Sequence, residues 1–424
     1  MDDSTLPSFL TCATPLDIYK RGNFVALDYE TDSEQKGSPL VKSNDIVLAC
    51  WSVYKNNKLV KRQHIFGGVY DMADLLDDIA DSEFMLAQNA KFEAGWTKRA
   101  GLELRDLLVY DPMLAQWVLD GNQKGKGFER SLRGLARRYG GRPKLDLVGK
   151  LLDAGVPTRE INTRWLLEYC ERDVDAMVDV FFAQLKVVEE RNVAHLVHTR
   201  NLTCAALADI EFNGLQLDKD KVYAEYKKVQ ARLQELDTQL AEMTGGINLG
   251  SPKQLAVLLY DTLKFKEPKN HRGKVIKTAK GERSTKADHV YALTAETEEQ
   301  QQFMKLYKEY NKQASLLEKN LEYFKLVCDN MDGEFLGIIK QNAVGTHRLA
   351  SSSIKSKFEV GRKESKKGKV TIKYKELGAQ LQNIPREYKG LFWAKDPDYV
   401  CASYDSSQVE FRVAVDMGQD SVGF

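Results

Sequence analysis

The chain has 424 residues, with 62 lysines and arginines against 61 aspartates and glutamates, for a net charge of +1. With 43% apolar and 29% charged residues it reads as a soluble globular protein of about three domains. No run approaches the roughly 18 apolar residues of a membrane span, and near-neutrality excludes a whole-protein field, so any affinity for nucleic acid must come from local segments. The start, MDDSTLPSF, is acidic and polar, unlike a signal or transit peptide. The six cysteines lie far apart without a C-x-x-C pair, as expected of reduced thiols in a cytoplasmic protein. His195 and His198 have no nearby cysteine or third histidine, so no zinc site is expected.

In chain order, NFVALDYET, DIVLACWSVY and KLVKRQHIF read as strands, with a turn at NNK between the last two. DMADLLDDIAD reads as an amphipathic helix and FMLAQ as a further buried strand. From Leu107 the pattern is mostly helical, through MLAQWVLD, SLRGLARRYG and the long NTRWLLEYCERDVDAMVDVFFAQLKVVEE, with a glycine-rich basic loop at GNQKGKG. This predicts an α/β domain with a mixed sheet and a helical second half.

From Glu189 to Asp329 the chain reads as almost wholly helical. DKVYAEYKKVQARLQELDTQLAEM and EEQQQFMKLYKEYNKQASLLEKNLEYFKLVCD are long enough for an antiparallel pair or an elongated arm. Between them lies a basic stretch with Lys264, Lys266, Lys269, Arg272, Lys274, Lys277, Lys280, Arg283 and Lys286. It reads as a solvated loop or as a phosphate-contacting tip. From Gly333, EFLGIIKQ, KVTIKY and DYVCASYD read as strands, the second as one arm of a hairpin after the basic turn ESKKGK.

Asp28 and Glu30 lie two apart at the end of an apolar run, so a strand presents both carboxylates on one face. Such neighbours repel, and a divalent cation relieves the conflict, with oxygen ligands suiting Mg²⁺ or Mn²⁺. LAQNAKFEAGW follows, with Asn89 as N-cap and Glu93 early in a helix. In WLLEYCERDVDAMV, Tyr169 and Asp173 are four apart and share a helix face, whereas Asp175 points elsewhere and is expected in solvent.

This ordered set resembles the DEDD superfamily of 3′–5′ exonucleases, over residues 20 to 190. Its first motif stands as Asp28-Tyr29-Glu30, its second as Asn89 through Phe92-Glu93, and its third as Tyr169 to Asp173, the tyrosine subclass. Glu93 departs from the aspartate usual there; it keeps the charge but extends the carboxylate by one methylene. The resemblance implies two-metal phosphodiester hydrolysis, with Asp28, Glu30, Glu93 and Asp173 as ligands of Mg²⁺ or Mn²⁺. Tyr169 would orient the attacking water.

The rest resembles the start of a family A DNA polymerase, the bacterial DNA polymerase I and phage replicase group. INLGSPKQLAVLLYDTL matches its helical thumb, GTHRLASSS a segment lying on template–primer, and LQNIPRE a segment near the primer terminus. The resemblance makes Thr346, Arg348, Ser351, Gln382, Asn383 and Arg386 DNA-contact candidates. YDSSQVEFR resembles the first polymerase catalytic motif: Asp405 would ligate the metals, the Ser406 carbonyl would complete one site, and Glu410 would check the nucleotide sugar. A lysine-rich segment, residues 354–376, is longer than in most relatives and reads as a surface hairpin or as extra grip on DNA.

The expectation is therefore an RNase H-like α/β exonuclease domain, residues 1–190. A helical thumb over 191–332 with a basic tip near 264–286, and a partial α+β palm over 333–424, complete the division. The fingers and the second palm aspartate of the family are not among these 424 residues. Polymerisation is thus expected only with the missing fingers–palm piece, which is either carried by a second polypeptide, as in a split, phage-type polymerase, or has been removed from this chain. The expected partners are a single-stranded 3′ end, primer–template DNA and that second polypeptide, and not a membrane. The rival readings are an RNA-trimming DEDD exonuclease, and a DNA-binding subunit whose exonuclease has decayed at Glu93.

Overall fold

The computed structural model describes residues 14–418 apart from 126, 143–145, 279–280, 355, 365–369, 379, 397 and 403. The chain forms two compact units. The first runs to Gly214 and takes back Leu336–Ser356 and Gly378–Asn383; the second holds Leu215–Phe335, Lys357–Leu377 and the segment from Ile384 onward.

In the first unit, α1 (Pro15–Arg21) leads into β1 (Phe24–Thr31), β2 (Ile46–Lys55) and β3 (Lys58–Ile65). Asn56 and Asn57, at φ 51° and 63°, make the turn between β2 and β3, because a two-residue hairpin loop needs positive φ at both positions and asparagine tolerates it. Next come α2 (Ala73–Ala80), β4 (Phe84–Leu86), α3 (Lys91–Arg99), β5 (Val109–Tyr110), α4 (Pro112–Leu119), α5 (Leu132–Tyr139), α6 (Asp146–Asp153), α7 (Thr163–Glu190) and α8 (Ala194–Asn213). The sheet order is β3-β2-β1-β4-β5. β1 is antiparallel to β2 and parallel to β4, which is parallel to β5. The expected mixed sheet is present.

Side-chain alternation along β1 divides the core in two. Phe24 and Ala26 face α7 with Cys50, Phe84, Cys170, Met177 and Phe181. Val25, Leu27 and Tyr29 face the other way, with Trp51, Leu75, Ala94, Trp96, Cys204 and Ala208. α8 therefore packs on the sheet rather than opening the helical region, and the first unit runs past the expected boundary at 190 to Gly214. Its buried stripe, Val197, Asn201, Cys204, Ala205 and Ala208, needs that face for cover.

The second unit opens with β6 (Leu215–Leu217), α9 (Lys219–Thr244), α10 (Pro252–Ala256) and a π-helical turn, Val257–Thr262. α11 (Ala287–Tyr291), α12 (Glu298–Leu316), a π-turn at Leu317–Leu321, α13 (Glu322–Asn330) and β7 (Glu334–Phe335) follow. The long helices form the antiparallel pair. Tyr223 donates to Asp329 at 2.6 Å and Arg232 pairs with Glu309 at 2.7 Å. Leu236 and Leu240 share a core with Phe303, Leu306 and Tyr307, so contacts climb one helix while descending the other.

β8 (Gly337–Lys340) and β9 (Ala350–Ser353) pair with each other in the first unit. β10 (Ser356–Glu364) pairs with β11 (Val370–Leu377), and β12 (Phe392–Trp393) joins β6 and β7. α14 (Val409–Gly418) closes the described chain.

Three expectations are corrected here. EFLGIIKQ is two strands, because Glu334 and Phe335 pair with β6 whereas residues from Gly337 pair with β9. The described residues of DYVCASYD form no strand: Tyr399, Val400 and Tyr404 are 71%, 87% and 94% exposed, and an apolar run becomes a strand only with a partner edge and a face to pack on. The basic turn of the expected hairpin lies at residues outside the described set, although its two arms pair as β10 and β11.

The third concerns Asp175, which is buried rather than solvated: it pairs with Arg62 of β3 and, at 2.5 Å, with Arg142. Both arginines come from elements distant in sequence, so helix periodicity alone could not place them. Asp175→Asn is expected to lower stability by about 1–3 kcal/mol in urea denaturation, since it leaves Arg62 without its carboxylate and Arg142 with Asp179 alone. A change within about 0.5 kcal/mol, the range of a neutral surface substitution, would mean that the pair contributes nothing.

Candidate metal centre and nucleic-acid contacts

β1 delivers the first two carboxylates. Asp28 lies opposite Cys50 on β2, and the register shifts between Glu30 and Thr31 where the strand ends. Both acids sit on the α7-facing parity of the strand, at the edge of its buried core. Ligand atoms of Asp28, Glu30 and Cys170 lie within 4.8 Å of one another. The Cys170 Sγ donates weakly to the Asp28 carbonyl and to its Oδ2, both at 3.5 Å. Burial pushes the Cys170 thiol far up, with Cys50 and the two acids adding to the shift, so the group is a thiol in the resting site. Tyr169 and Asp173, 7% and 3% exposed, flank Cys170 on α7. Asp173 stands one turn beyond Cys170, on the same helix face.

The second motif is built differently from expectation. Asn89 is not the N-cap of α3; it holds φ 60°, and Ala90 precedes the helix without a side-chain cap bond. Asp111 takes over the capping. It caps α4 by accepting from Met113 N at 2.8 Å, and also accepts from Asn89 N at 3.0 Å and Ala90 N at 3.1 Å. One buried carboxylate thus ties the starts of α3 and α4 together. Burial raises the Asp111 carboxyl to about 6, against the pull of these N–H donors. The pattern Asp111-Pro112, a capping acid before proline at N1, was a signal for this.

Glu93, in the first turn of α3, is 4% exposed. Its Oε2 is buried with no hydrogen-bond partner among the described residues. Burial, then the Asp28 charge, with lesser contributions from Asp111 and Glu30, drives its carboxyl well above the ordinary range. A buried carboxylate oxygen left without a donor, facing two further carboxylates, is the environment a cation relieves. The donor set, carboxylate oxygens with one thiol at the margin, fits Mg²⁺ or Mn²⁺.

Two neighbours of this site escaped sequence reading. Lys91 pairs with Glu211 of α8 at 2.5 Å, and both reach the Ile339 backbone, Lys91 its carbonyl and Glu211 its N–H. This fastens α3, two residues from Glu93, to α8 and β8. No local pattern announces a pair 120 residues apart.

The nucleic-acid candidates fall into groups. Thr346 and Arg348 are exposed in the turn before β9. Ser351 and Gln382 lock to each other: Ser351 N donates to Gln382 Oε1 at 2.7 Å, and Gln382 N donates to Ser351 Oγ at 3.1 Å. The Gln382 amide also donates to the Leu349 carbonyl at 3.1 Å. The two segments are therefore one surface, with Asn383 exposed in the same 3₁₀ turn, Leu381–Asn383. Arg386 begins a 3₁₀ turn, Arg386–Leu391, in the second unit. Asp405 and Ser406 are exposed and irregular, and Glu410 is exposed in the first turn of α14.

Residues 219–422 match the family described as DNA polymerase family A. DNA polymerase I of Geobacillus stearothermophilus is 23% identical over 330 residues, 76% of this chain and 33% of that protein. DNA polymerase I of Synechocystis sp. is 25% identical over 419 residues, 94% of this chain and 37% of that one. The chain thus spans about a third of the length of the curated relatives it matches. Among solved structures, the POL domain of Pol1 from M. smegmatis, in complex with DNA primer-template and dNTP, superposes with a TM-score of 0.61. It is 19% identical, over 96% of this chain and 61% of that one, and so shares the fold. Among the described residues no helix is long and apolar enough to cross a membrane.

The Glu93 environment has a measurable consequence. Its folded-state pKa is raised, so its contribution to stability is full below the unfolded value of 4.5 and is lost as pH rises through the folded pKa. Glu93→Gln is therefore expected to stabilise the metal-free protein at pH 8, and the advantage should shrink toward pH 5. A buried unpaired group costs on the order of 1–3 kcal/mol, which corresponds to roughly 2–4 °C for each kcal/mol. Thermal melts in EDTA check this. Mg²⁺ should then raise the wild-type midpoint more than that of the variant.

Proposed function

We propose, for a chain whose residues 219–422 carry the sequence of DNA polymerase family A, that its first unit is a proofreading 3′–5′ exonuclease acting on single-stranded 3′ ends of DNA. The observation that carries this is the Glu93 carboxylate, buried with an oxygen lacking a hydrogen-bond partner and facing Asp28 and Glu30. Tyr169 and Asp173 flank the cluster on α7. Asp28, Glu30, Glu93 and Asp173 would hold divalent ions, with Glu93 the more distant ligand. Such ions supply, when bound, an acidified water and stabilisation of the leaving 3′ oxygen. The Tyr169 phenol, able both to donate and to accept, orients the attacking water. The apolar packing of α7 on β1 keeps these groups in register.

The second part of the proposal is DNA synthesis with help. Asp405, the Ser406 carbonyl and Glu410 belong to one half of a polymerase site, and primer–template DNA would lie on Thr346, Arg348, Ser351, Gln382, Asn383 and Arg386. DNA synthesis would also need the family's fingers and remaining palm, which a second polypeptide would supply if the polymerase is of the split, phage type. Supporting this are Tyr399, Val400, Tyr404, Phe411 and Met417, which are 71%, 87%, 94%, 55% and 81% exposed. Large apolar side chains this exposed are suited to cover by another segment of a polymerase.

Incubating the chain with 3′-labelled single-stranded DNA and Mg²⁺ should release mononucleotides. Asp28→Ala should slow release on the order of 10³-fold, equivalent to about 4 kcal/mol of barrier. Equal release from both proteins, or from neither, overturns the exonuclease. Faster attack on RNA than on DNA would favour an RNA-trimming enzyme. Primer extension should be undetectable with the purified chain and should appear when a fingers–palm polypeptide is added; extension by the chain alone refutes the split reading.

A further inference from the structure

The loop between β8 and β9 is attached to the rest of the first unit at Gln341–Ala343 and again at His347. Gln341 donates to the Arg200 carbonyl at 2.9 Å, and the Asn342 amide contacts Met113 Sδ at 3.4 Å. Lys124 donates to the Ala343 carbonyl. Near the end of the loop, His347 holds φ 63°. A side chain with a β-carbon pays on the order of 1–2 kcal/mol in that left-handed region, where glycine would sit freely. Such an outlier persists when the surroundings fix it and points to a role.

The His347 ring has two partners, Arg200 of α8 at Nδ1 and the Asn122 amide at Nε2. A guanidinium only donates, so Nδ1 accepts and the ring is neutral with its proton on Nε2. Burial, and then the Arg200 charge, hold the imidazole below its ordinary range, consistent with that form. The Nε2–H therefore needs an acceptor. Asn122 Oδ1 is otherwise buried without a hydrogen-bond partner among the described residues, and an amide turned to present that oxygen satisfies both groups. The bridge Arg200–His347–Asn122 is thus complete, and its central residue stands between Thr346 and Arg348.

We propose that His347 is a positioning residue for duplex DNA. It fastens the turn bearing Thr346 and Arg348 to α8 and to the loop after α4, so grip on primer–template depends on a contact that never touches DNA. This rests on the reading of Thr346 and Arg348 as duplex contacts.

The test uses the full chain and labelled DNA in EDTA, so that nothing is cut, with anisotropy read on a primer–template and on a single strand. His347→Gly and Arg200→Ala should each weaken primer–template binding about tenfold, the size of a coupling near 1.4 kcal/mol. Single-strand binding should change less than about twofold, roughly 0.4 kcal/mol. The double variant should be no worse than either single one, because both break the same bridge. His347→Gly should melt no lower than wild type, since glycine suits that backbone; this separates positioning from misfolding.

Unchanged primer–template binding by His347→Gly overturns the proposal. So does an equal loss on both DNAs. Arg348→Ala tests the underlying reading: if it binds duplex like wild type, the contact assignment fails, and the inference falls with it. Loss in Arg348→Ala but not in His347→Gly sinks the positioning role alone. Binding is read without excision, so an inactive exonuclease would not mask either result.

Discussion

The first unit is organised around an electrostatic conflict: Asp28 and Glu30 cluster with the Cys170 thiol, and their charges reach the buried Glu93 carboxyl. Like charges so close raise one another's proton affinity, and burial adds to the cost. The hydrophobic core has to sustain this arrangement. Phe24 and Ala26 on one face of β1, and Val25 and Leu27 on the other, are wholly buried, anchoring the strand whose end carries the acids. Asp111 plays a matching part by holding the starts of α3 and α4, so that Glu93 enters from a fixed direction. A site of this kind gives up stability in its resting state, which a bound cation would return.

Much of this was legible in the sequence, because it is written in short periods. The parity of β1 put Asp28 and Glu30 together, and the four-residue spacing put Tyr169 and Asp173 on one face. The positions that misled are those where partners come from far away. Asn89 has the chemistry of a cap, but Asp111 satisfies those N–H groups from another strand end, freeing Asn89 to turn left-handed. Asp175 has the spacing of a solvated residue, yet Arg62 and Arg142 meet it there. The apolar run before Asp405 has strand composition without an edge to pair with among the described residues. Local preference proposes, and long-range contact decides.

The two units use their aromatic residues for different ends. In the first, Phe24, Phe84, Tyr110 and Phe181 form a ring cluster whose centroids lie 4.8–5.7 Å apart where they meet, filling the space between sheet and α7. In the second, Phe324, Phe335 and Phe392 meet edge to face at 5.2–5.7 Å. That second cluster welds a helix to the three short strands β12, β6 and β7, elements of two or three residues that could not hold a sheet unaided.

The return of Leu336–Ser356 and Gly378–Asn383 to the first unit bears on how the protein is made. Glu211 bonds the N–H of Ile339, 128 residues later, and Arg200 meets His347 at a separation of 147. At elongation rates of about 5–20 residues per second those partners emerge on the order of 10 s after the helix that needs them. On the ribosome, the nascent domain therefore passes through a stage in which α8 exposes a half-answered polar edge. Its last stitch is added only after the long helices of the other unit have been synthesised. The order of translation thus makes the first unit wait for sequence that lies beyond the long helices of the second.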